Sequence, residues 1–211
     1  MHLALFGASG RTGRLLAAQA LTAGHTVAAL VRDPSRLALR DPGMTVVQGD
    51  VLDPAAVARV VAGADAVLLT LGHTKTSPDG LMARAAETVI GAMRDAGVRR
   101  VVTETGAGVA DPRDAGGFGP TLVRTVMKVV ARGLLADSQA HVEAFRASGL
   151  DWTAVRAPRL TNGPLTGAAR IGYVSMGPGH SVSRADVAAL MLRLAASGEY
   201  AGEAPTVTGP G

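Results

Sequence analysis

A glycine-rich turn near the start of the chain carries the clearest chemistry in this sequence. Gly7, Gly10 and Gly13 separate an apolar, extended segment from residues whose apolar spacing suits a helix. In a turn of this kind the first glycine allows a tight bend, the second lets the backbone approach a pyrophosphate, and the third permits close helix packing. The N–H groups at the helix start would face the anion. The position predicts a dinucleotide-binding turn, and a purely structural glycine turn is the alternative. The residues expected to contact the cofactor here are Gly7, Ser9, Gly10, Arg11, Thr12 and Gly13.

The end of the second predicted strand bears on which nicotinamide cofactor binds. An NAD enzyme usually has an acid there for the ribose 2′-OH, whereas an NADP enzyme has an arginine for the 2′-phosphate. This chain has Arg32 followed by Asp33 and a proline, so we expect Asp33 to cap a short helix. Arg32 is then left for the phosphate, with Arg36 and Arg11 as candidate helpers. NADP(H) is the prediction, and an ordinary surface arginine is the alternative.

Asp50 follows the third predicted strand, in Gln48-Gly49-Asp50-Val51. Its carboxylate is placed to accept a hydrogen bond from an adenine amino group. Stabilisation of the turn by the same side chain is an equally good interpretation.

Segments typical of strands and of helices alternate along the chain, and together they must position these residues. Apolar stretches predict strands at 1–6, 25–31, 44–48, 64–71, 100–105 and 152–157. Asp33, Asp53 and Ser77 each precede a proline and predict helix starts, while Gly24, Gly63, Gly97 and Gly149 stand where helices should end. This alternation predicts an α/β fold with a doubly wound, Rossmann-type parallel sheet and helices on both faces. We expect a single NAD(P)-binding domain over residues 1–211, with an acceptor pocket formed by loops 72–79, 106–120 and 158–180.

The amino-acid composition limits the classes of protein to which this chain could belong. The chain has 211 residues, of which 47% are hydrophobic, so it can bury a full core. It has no apolar run long enough to span a membrane, which leads us to expect a cytoplasmic protein. The absence of cysteine excludes disulfides, zinc-thiolate sites and thiol nucleophiles. The net charge is only +4 and the arginines are dispersed, so we expect no nucleic-acid partner. We also expect no metal site and no membrane partner.

The tyrosines and lysines exclude one familiar catalytic pair. Short-chain dehydrogenases commonly use Tyr-x-x-x-Lys, in which the lysine lowers the pKa of the tyrosine. Tyr173 and Tyr200 are followed four positions later by glycine and alanine. A conjugated acceptor such as a flavin, a quinone or a tetrapyrrole can take a hydride without such a tyrosine.

Several motifs resemble the NADPH-dependent flavin reductases of the biliverdin reductase B family, within the NmrA-like atypical short-chain dehydrogenases. They are residues 31–37, 49–52, 61–67, 148–150, 164–167 and 183–188. The resemblance covers nearly the whole chain. It implies NADPH on the glycine turn, Arg32 at the 2′-phosphate, and Asp50 and Val51 at the adenine. It also implies that the ribose and nicotinamide side is lined by Leu71, Gly72, His73 and Thr105, and Pro158 completes the expected cofactor set.

The acceptor side departs from that family. Gly106 stands where the family has a serine, and Ser138 and Arg159 stand where it has histidines. We take these three residues and His73 as candidates for contact with the acceptor. Arg159 could hold a phosphate or carboxylate, and His73 follows the fourth predicted strand. An exposed salt bridge is the alternative for Arg159, and solvation is the alternative for His73. We further expect His141 and Glu143 to form an exposed helical pair, and Asp137 to be a helix cap.

These observations predict an NADPH-dependent reductase of a flavin, a quinone or a similar conjugated acceptor. Two alternatives stay open: a non-catalytic NmrA-like protein that senses NADP, and a tailoring enzyme of secondary metabolism on the same scaffold. The acceptor and the oligomeric state are left open by the sequence.

Overall fold

The structure is a computed structural model that describes residues 1–74, 76–114, 132–173 and 179–210. Ten strands are found in these residues: β1 His2–Phe6, β2 Thr26–Val31, β3 Met44–Gln48, β4 Ala66–Leu69, β5 Arg100–Gly106, β6 Asp151–Ala157, β7 Arg159–Thr161, β8 Arg170–Gly172, β9 Ser181–Ser183 and β10 Thr206–Thr208. The helices of the same residues are α1 Arg11–Thr22, α2 Pro54–Val61, α3 Leu81–Ala96, α4 Arg132–Arg146 and α5 Arg184–Ser197, with a short 3₁₀ helix at Pro34–Arg36.

Eight strands form one sheet in the order β3-β2-β1-β4-β5-β6-β10-β8. Its neighbours pair in parallel except β10 and β8, which are antiparallel. Strand β1 lies between β2 and β4, so the direction of winding reverses at β1. Ligands of open α/β sheets bind at such a reversal, outside the carboxyl ends of the strands. The fold therefore predicts a cleft above the ends of β1 and β4.

The two faces of the sheet bury separate hydrophobic cores. Successive side chains of a strand point to opposite faces, and in β1 Ala4 and Phe6 belong to one core while Leu3 and Leu5 belong to the other. The first core packs against α2, α3 and α4, as shown by Val57, Val89 and Phe145. The second packs against α1 and α5, through residues such as Leu16 and Leu194. The predicted Rossmann-type sheet with helices on both faces is confirmed.

Two of the three helix starts predicted before a proline are correct, because a side chain close in sequence caps each of those helices. Asp33 and Asp53 cap their helices, and each accepts a hydrogen bond from the backbone N–H two residues later. The helix start predicted at Ser77 is wrong. Helix α3 begins at Leu81 behind Gly80, which has left-handed backbone, and the Ser77 hydroxyl accepts from the Thr74 N–H at 2.9 Å. The side chain that holds the start of α3 comes instead from α4, as described below.

The segment from Arg159 to His180, predicted as irregular, includes two short strands. Strand β7 pairs with β9 in a separate two-stranded sheet, and β8 pairs with β10 at the sheet edge. A strand of three residues carries too little periodicity to be recognised in sequence. No helix in the described part of the chain is long and apolar enough to cross a membrane.

Candidate functional site

A cleft lies at the carboxyl ends of β1, β2 and β4, where the winding reverses. Phe6, Leu30, Thr70 and Leu81 contribute to its walls. The predicted cofactor residues that line it are Gly7, Ser9, Gly10, Arg32, Asp50, Val51, Leu71 and Gly72. The structure thus brings together residues from four separate parts of the sequence, and their individual roles stay predictions.

The glycine turn forms one end of the cleft, and its three glycines are constrained differently. Gly7 has a φ of +90°, and a Cβ there would lie 2.6 Å from the carbonyl oxygen of Thr70. A Cβ on Gly13 would lie 2.1 Å from the carbonyl oxygen of Gly7. At Gly10 the tightest contact of a Cβ would be 3.0 Å, again to the Gly7 oxygen. Gly7 and Gly13 are therefore required by packing, whereas Gly10 keeps backbone accessible at the cleft.

Helix α1 starts from this turn without a side-chain cap. Its N-cap is Gly10, no side chain accepts a hydrogen bond there, and its first turn contains no acid. The free N–H groups of an uncapped helix start bind an anion well. The turn and the helix start together fit the pyrophosphate of a dinucleotide.

A buried polar cluster lies beneath the turn. The Thr12 hydroxyl donates to Oε1 of Glu104 at 3.3 Å, and both side chains are buried. Burial raises the pKa of Glu104 to about 7, although the Thr12 hydrogen bond and the charge of Arg184 lower it. The sequence interpretation missed Glu104. Its signal was a single carboxylate in the otherwise uncharged end of β5, Val101–Gly106. Because the Thr12 side chain is engaged with Glu104, we expect Thr12 to reach a cofactor through its backbone N–H.

Asp33 caps the short 3₁₀ helix, as the sequence suggested, and the role of Arg32 stays a prediction. The Asp33 carboxylate accepts from the Ser35 N–H at 3.0 Å and from the Ser35 hydroxyl at 2.6 Å. The side-chain hydrogen bond from Ser35 is the main reason why the pKa of Asp33 lies below its ordinary value. Arg32 is exposed and lines the cleft.

Asp50 lies at the same end of the cleft. Its Oδ1 accepts from the Leu52 N–H at 2.9 Å, so the side chain stabilises the turn after β3. Asp50 is nevertheless exposed and lines the cleft next to the buried Val51. One oxygen holds the turn, and the other stays available for an adenine amino group.

At the opposite end of the cleft, which Gly72 and Thr74 line, the histidine between them contacts an aspartate that is distant in sequence. Nε2 of His73 lies 2.7 Å from Oδ2 of Asp137 on α4. Asp137 also accepts from the N–H groups of Met82 and Ala83, both at 2.9 Å. Burial by itself raises the pKa of Asp137, but the three hydrogen bonds outweigh it and the pKa lies below its ordinary value. Asp137 is therefore a helix cap, as expected, but it caps α3 rather than its own helix.

The prediction of an exposed pair of His141 and Glu143 is wrong. His141 is fully buried between α4 and the sheet. One ring nitrogen lies 2.8 Å from the Thr103 hydroxyl and the other 2.9 Å from the Met82 carbonyl oxygen. Burial lowers the pKa of His141, so the ring is neutral and structural. Glu143 lies on the exposed side of the helix and pairs with Arg146 at 3.2 Å.

The remaining predicted residues lie near the ends of β5 and β6, on α4 and at the start of α1. Thr105 is buried near the end of β5, and its hydroxyl has no hydrogen-bond partner among the described residues. Gly106 is exposed at the last position of β5 and pairs with Ala157. Arg159 is exposed in β7. Two other residues are half-buried, Pro158 between β6 and β7 and Ser138 next to Asp137 on α4. Arg11 is exposed at the start of α1. Of the predicted acceptor loops, residues 115–120 and 174–178, together with Lys75, lie outside the described residues.

Both tyrosines are engaged in local structure. The Tyr173 hydroxyl accepts from Arg113 and donates to Glu203, each at 3.1 Å. Burial is the largest cause that raises the pKa of Tyr173, the opposite of the shift that an activated tyrosine acid needs. Tyr200 has a positive φ of 56° at the turn before β10. In the described ranges no group of three or more acidic or histidine side chains is arranged to hold a metal ion.

Residues 7–197 match the family model of NAD(P)H-binding proteins. The chain belongs to this NAD(P)H-binding family. The matched range contains the glycine turn, the cleft and the His73–Asp137 contact. An NAD(P)(H) cofactor follows from the family together with the fit of the turn.

Named relatives include reductases. The chain is 32% identical over 211 residues to the (4-alkanoyl-5-oxo-2,5-dihydrofuran-3-yl)methyl phosphate reductase of Streptomyces griseus, in a match that covers 97% of this chain and 66% of that protein. It is 28% identical over 157 residues to a maize isoflavone reductase homologue, covering 70% of this chain and 45% of the relative. The chain thus spans about half to two thirds of the length of these relatives. Among solved structures, ChuY, an anaerobillin reductase from Escherichia coli O157:H7, matches with a TM-score of 0.82 and 25% identity over 100% of this chain and 98% of that one.

Proposed function

We propose that this protein is an NADPH-dependent oxidoreductase that transfers a hydride to a conjugated acceptor such as a flavin, a quinone or an unsaturated ring. The observation that carries this proposal is a dinucleotide cleft that runs from the uncapped start of α1 to Gly72 and Thr74, in a protein whose Tyr173 has a raised pKa rather than the lowered pKa of an activated tyrosine acid. Reduction of a conjugated centre needs a hydride source and an oriented acceptor, and does not need a tyrosine–lysine pair.

The preference for NADPH over NADH rests on the end of β2. An NAD-binding acid would have to accept from the ribose 2′-OH, but the Asp33 carboxylate caps the short helix through Ser35 and is not among the residues that line the cleft, whereas Arg32 is. The exposed Arg32 guanidinium beside it suits a 2′-phosphate, which it can bind through charge-assisted hydrogen bonds.

The residues of the cleft have separate tasks in this proposal. The N–H groups of the glycine turn bind the pyrophosphate, Arg32 binds the 2′-phosphate, and Asp50 and Val51 hold the adenine. NADPH supplies the hydride when it is bound. Leu71 and Gly72 position the nicotinamide end.

The nature of the acceptor is supported by the relatives. The Streptomyces griseus protein is named for reduction of an oxo-dihydrofuran that carries a phosphate, and ChuY is named as an anaerobillin reductase. Both names denote an extended or unsaturated acceptor. Arg159 is exposed just beyond the end of β6 and could hold an acidic group of the acceptor, because its planar fork pairs bidentately with phosphate and carboxylate. A small-molecule tailoring reaction on a phosphorylated acceptor therefore falls within the proposal.

Turnover on a panel of acceptors tests the proposed activity. Purified protein should oxidise NADPH faster than NADH with FMN, a simple quinone, biliverdin or a phosphorylated unsaturated lactone. Tyr173→Phe and Tyr200→Phe should keep most of the wild-type rate, because neither hydroxyl is an activated acid. A tyrosine variant that loses activity while it remains folded would contradict the mechanism.

A non-catalytic NADP-sensing protein is the second candidate. It is favoured by the acceptor side, where Gly106, Ser138 and Arg159 replace the polar residues that the flavin reductases carry. Tight binding of NADPH combined with no turnover on the whole panel would support this candidate. A cytoplasmic location stays a prediction.

A further inference from the structure

We propose that His73 is the catalytic acid of this reductase and that Asp137 is its positioning residue. This inference rests on the proposed function and adds to it the group that protonates the reduced acceptor. The observation is the 2.7 Å contact between Nε2 of His73 and Oδ2 of Asp137, at a residue whose two chain neighbours, Gly72 and Thr74, line the dinucleotide cleft.

The hydrogen bonds around Asp137 determine which nitrogen of His73 carries the proton. The carboxylate is ionised, because its pKa lies below the ordinary value, and an ionised carboxylate can only accept hydrogen bonds. Nε2 of His73 must therefore donate to it. In the neutral ring Nδ1 is then an unprotonated acceptor, and in the charged ring it is a second donor.

The other ring nitrogen is open for exchange. Nδ1 of His73 has no hydrogen-bond partner in the ranges that the structure describes, and the His73 side chain is 23% exposed. The ring follows Gly72, which lines the cleft. His141, in contrast, has both ring nitrogens bound to protein atoms and is fully buried. Nδ1 of His73 is therefore able to exchange a proton, whereas both nitrogens of the His141 ring are held in the packed interior.

The position of Asp137 is itself held firmly. Its side chain is only 5% exposed, and two N–H groups of the first turn of α3 bind its oxygens. A carboxylate held in this way fixes the tautomer and the orientation of the imidazole, as the third group of a catalytic triad does. Asp137 acts through His73 and does not contact the acceptor.

The proposed step is balanced. NADPH gives a hydride to a conjugated carbon or nitrogen of the acceptor and becomes NADP⁺, and the electron pair of the acceptor double bond moves to the conjugated end, which becomes an anion. The imidazolium of His73 donates its Nδ1 proton to that anion. The neutral imidazole that remains takes a proton from water, and Asp137 stays ionised throughout.

His73→Gln is the decisive variant, because the amide nitrogen of glutamine can keep the hydrogen bond to Asp137 but cannot donate a proton to an anion as an imidazolium does. We expect kcat to fall by about 10²- to 10⁴-fold, the usual contribution of a general acid, while the Kd for NADPH and the thermal midpoint stay close to wild type. Asp95→Asn removes an exposed carboxylate near the end of α3, outside the predicted acceptor loops, and should leave kcat unchanged.

Rescue by imidazole separates proton transfer from a structural role, and the tautomer of His73 checks its hydrogen bond to Asp137. In His73→Gly, added imidazole should restore part of the lost rate, whereas it should not accelerate the wild type or Asp95→Asn. In ¹⁵N spectra of the wild type, neutral His73 should show a protonated Nε2 and a bare Nδ1, and Asp137→Asn should lose this preference. A purely structural contact between the loop and α4 would fix the same tautomer but would give no rescue by imidazole.

The failure of this inference can be distinguished from failure of the proposed function. Wild-type protein that oxidises NADPH with no acceptor of the panel would overturn both. An active wild type with an equally active His73→Gln, or a His73→Gly variant that imidazole does not rescue, would overturn only the role of His73.

Discussion

The two ends of the cleft are built in different ways. At the end proposed for the cofactor, most contacts join residues close in sequence: Gly10 donates to Gly7, Asp33 binds Ser35, and Asp50 binds Leu52. Beneath the turn, Thr12 reaches Glu104, 92 positions away. Near the other end of the cleft, which we propose as the acceptor end, the contacts join residues far apart in sequence. His73 and Asp137 are separated by 64 positions, and Thr103 and His141 by 38. The cofactor end is therefore specified by short motifs, whereas the chemistry at the acceptor end depends on how α4 packs against α3 and β5.

The largest effect should come from Gly10→Val. A branched side chain at Gly10 would occupy the place of the pyrophosphate, so we expect binding of NADPH to become undetectable by calorimetry. The fold should survive, because the tightest contact of a Cβ there is 3.0 Å. Gly13→Val is the matched comparison and should also lose cooperative unfolding, since its Cβ would lie 2.1 Å from the Gly7 oxygen. Wild-type affinity in a folded Gly10→Val would show that the turn is only structural.

The buried acid under the turn should make stability depend on pH. The pKa of Glu104 is about 7 in the folded protein, against an ordinary value of 4.5. Folding therefore favours the protonated form: the contribution is complete below about pH 4.5 and is lost as the pH rises through 7. The difference corresponds to about 3 kcal/mol.

Glu104→Gln removes this dependence, because the amide stays neutral. Urea unfolding at pH 5 and pH 8 should show the wild type losing roughly 2 to 3 kcal/mol more than the variant between the two values, since part of the contribution is already lost at pH 5. Glu87→Gln, at an exposed position of α3, should follow the wild type. Parallel curves for the wild type and Glu104→Gln would mean that Glu104 is already ionised at pH 5.

A smaller effect is expected from Arg32→Ala. Loss of the charge-assisted hydrogen bonds to the 2′-phosphate should weaken NADPH binding by about tenfold to a hundredfold, and NADH binding should hardly change. Arg36→Ala, a neighbouring exposed residue of the 3₁₀ helix, should have less effect. Equal losses for both cofactors in Arg32→Ala, or a wild type that prefers NADH, would contradict the NADP assignment.

The fold and the cofactor end could be predicted because their signals are short-range. Alternating apolar segments identified the strands of the sheet's parallel core, β1 to β6, and the Asp-Pro pairs identified two helix starts. The glycine turn follows β1 directly, so its position at the sheet edge followed from the order of the elements. The antiparallel strand β8 and the two-stranded sheet were too short to predict.

What only the tertiary structure decided is which side chains meet across those elements. The sequence showed a lone loop histidine at His73, a candidate cap at Asp137, and a helical pair at His141 and Glu143. Packing joins His73 to Asp137, buries His141 against Thr103, and places Glu104 beneath Thr12. Burial and long-range hydrogen bonds set the pKa of a side chain, and both depend on neighbours that the chain brings together only when it folds. The sequence by itself therefore determined the family and the sheet and predicted where the cofactor binds, while the tertiary structure decided which side chains distant in sequence come into contact around that cleft.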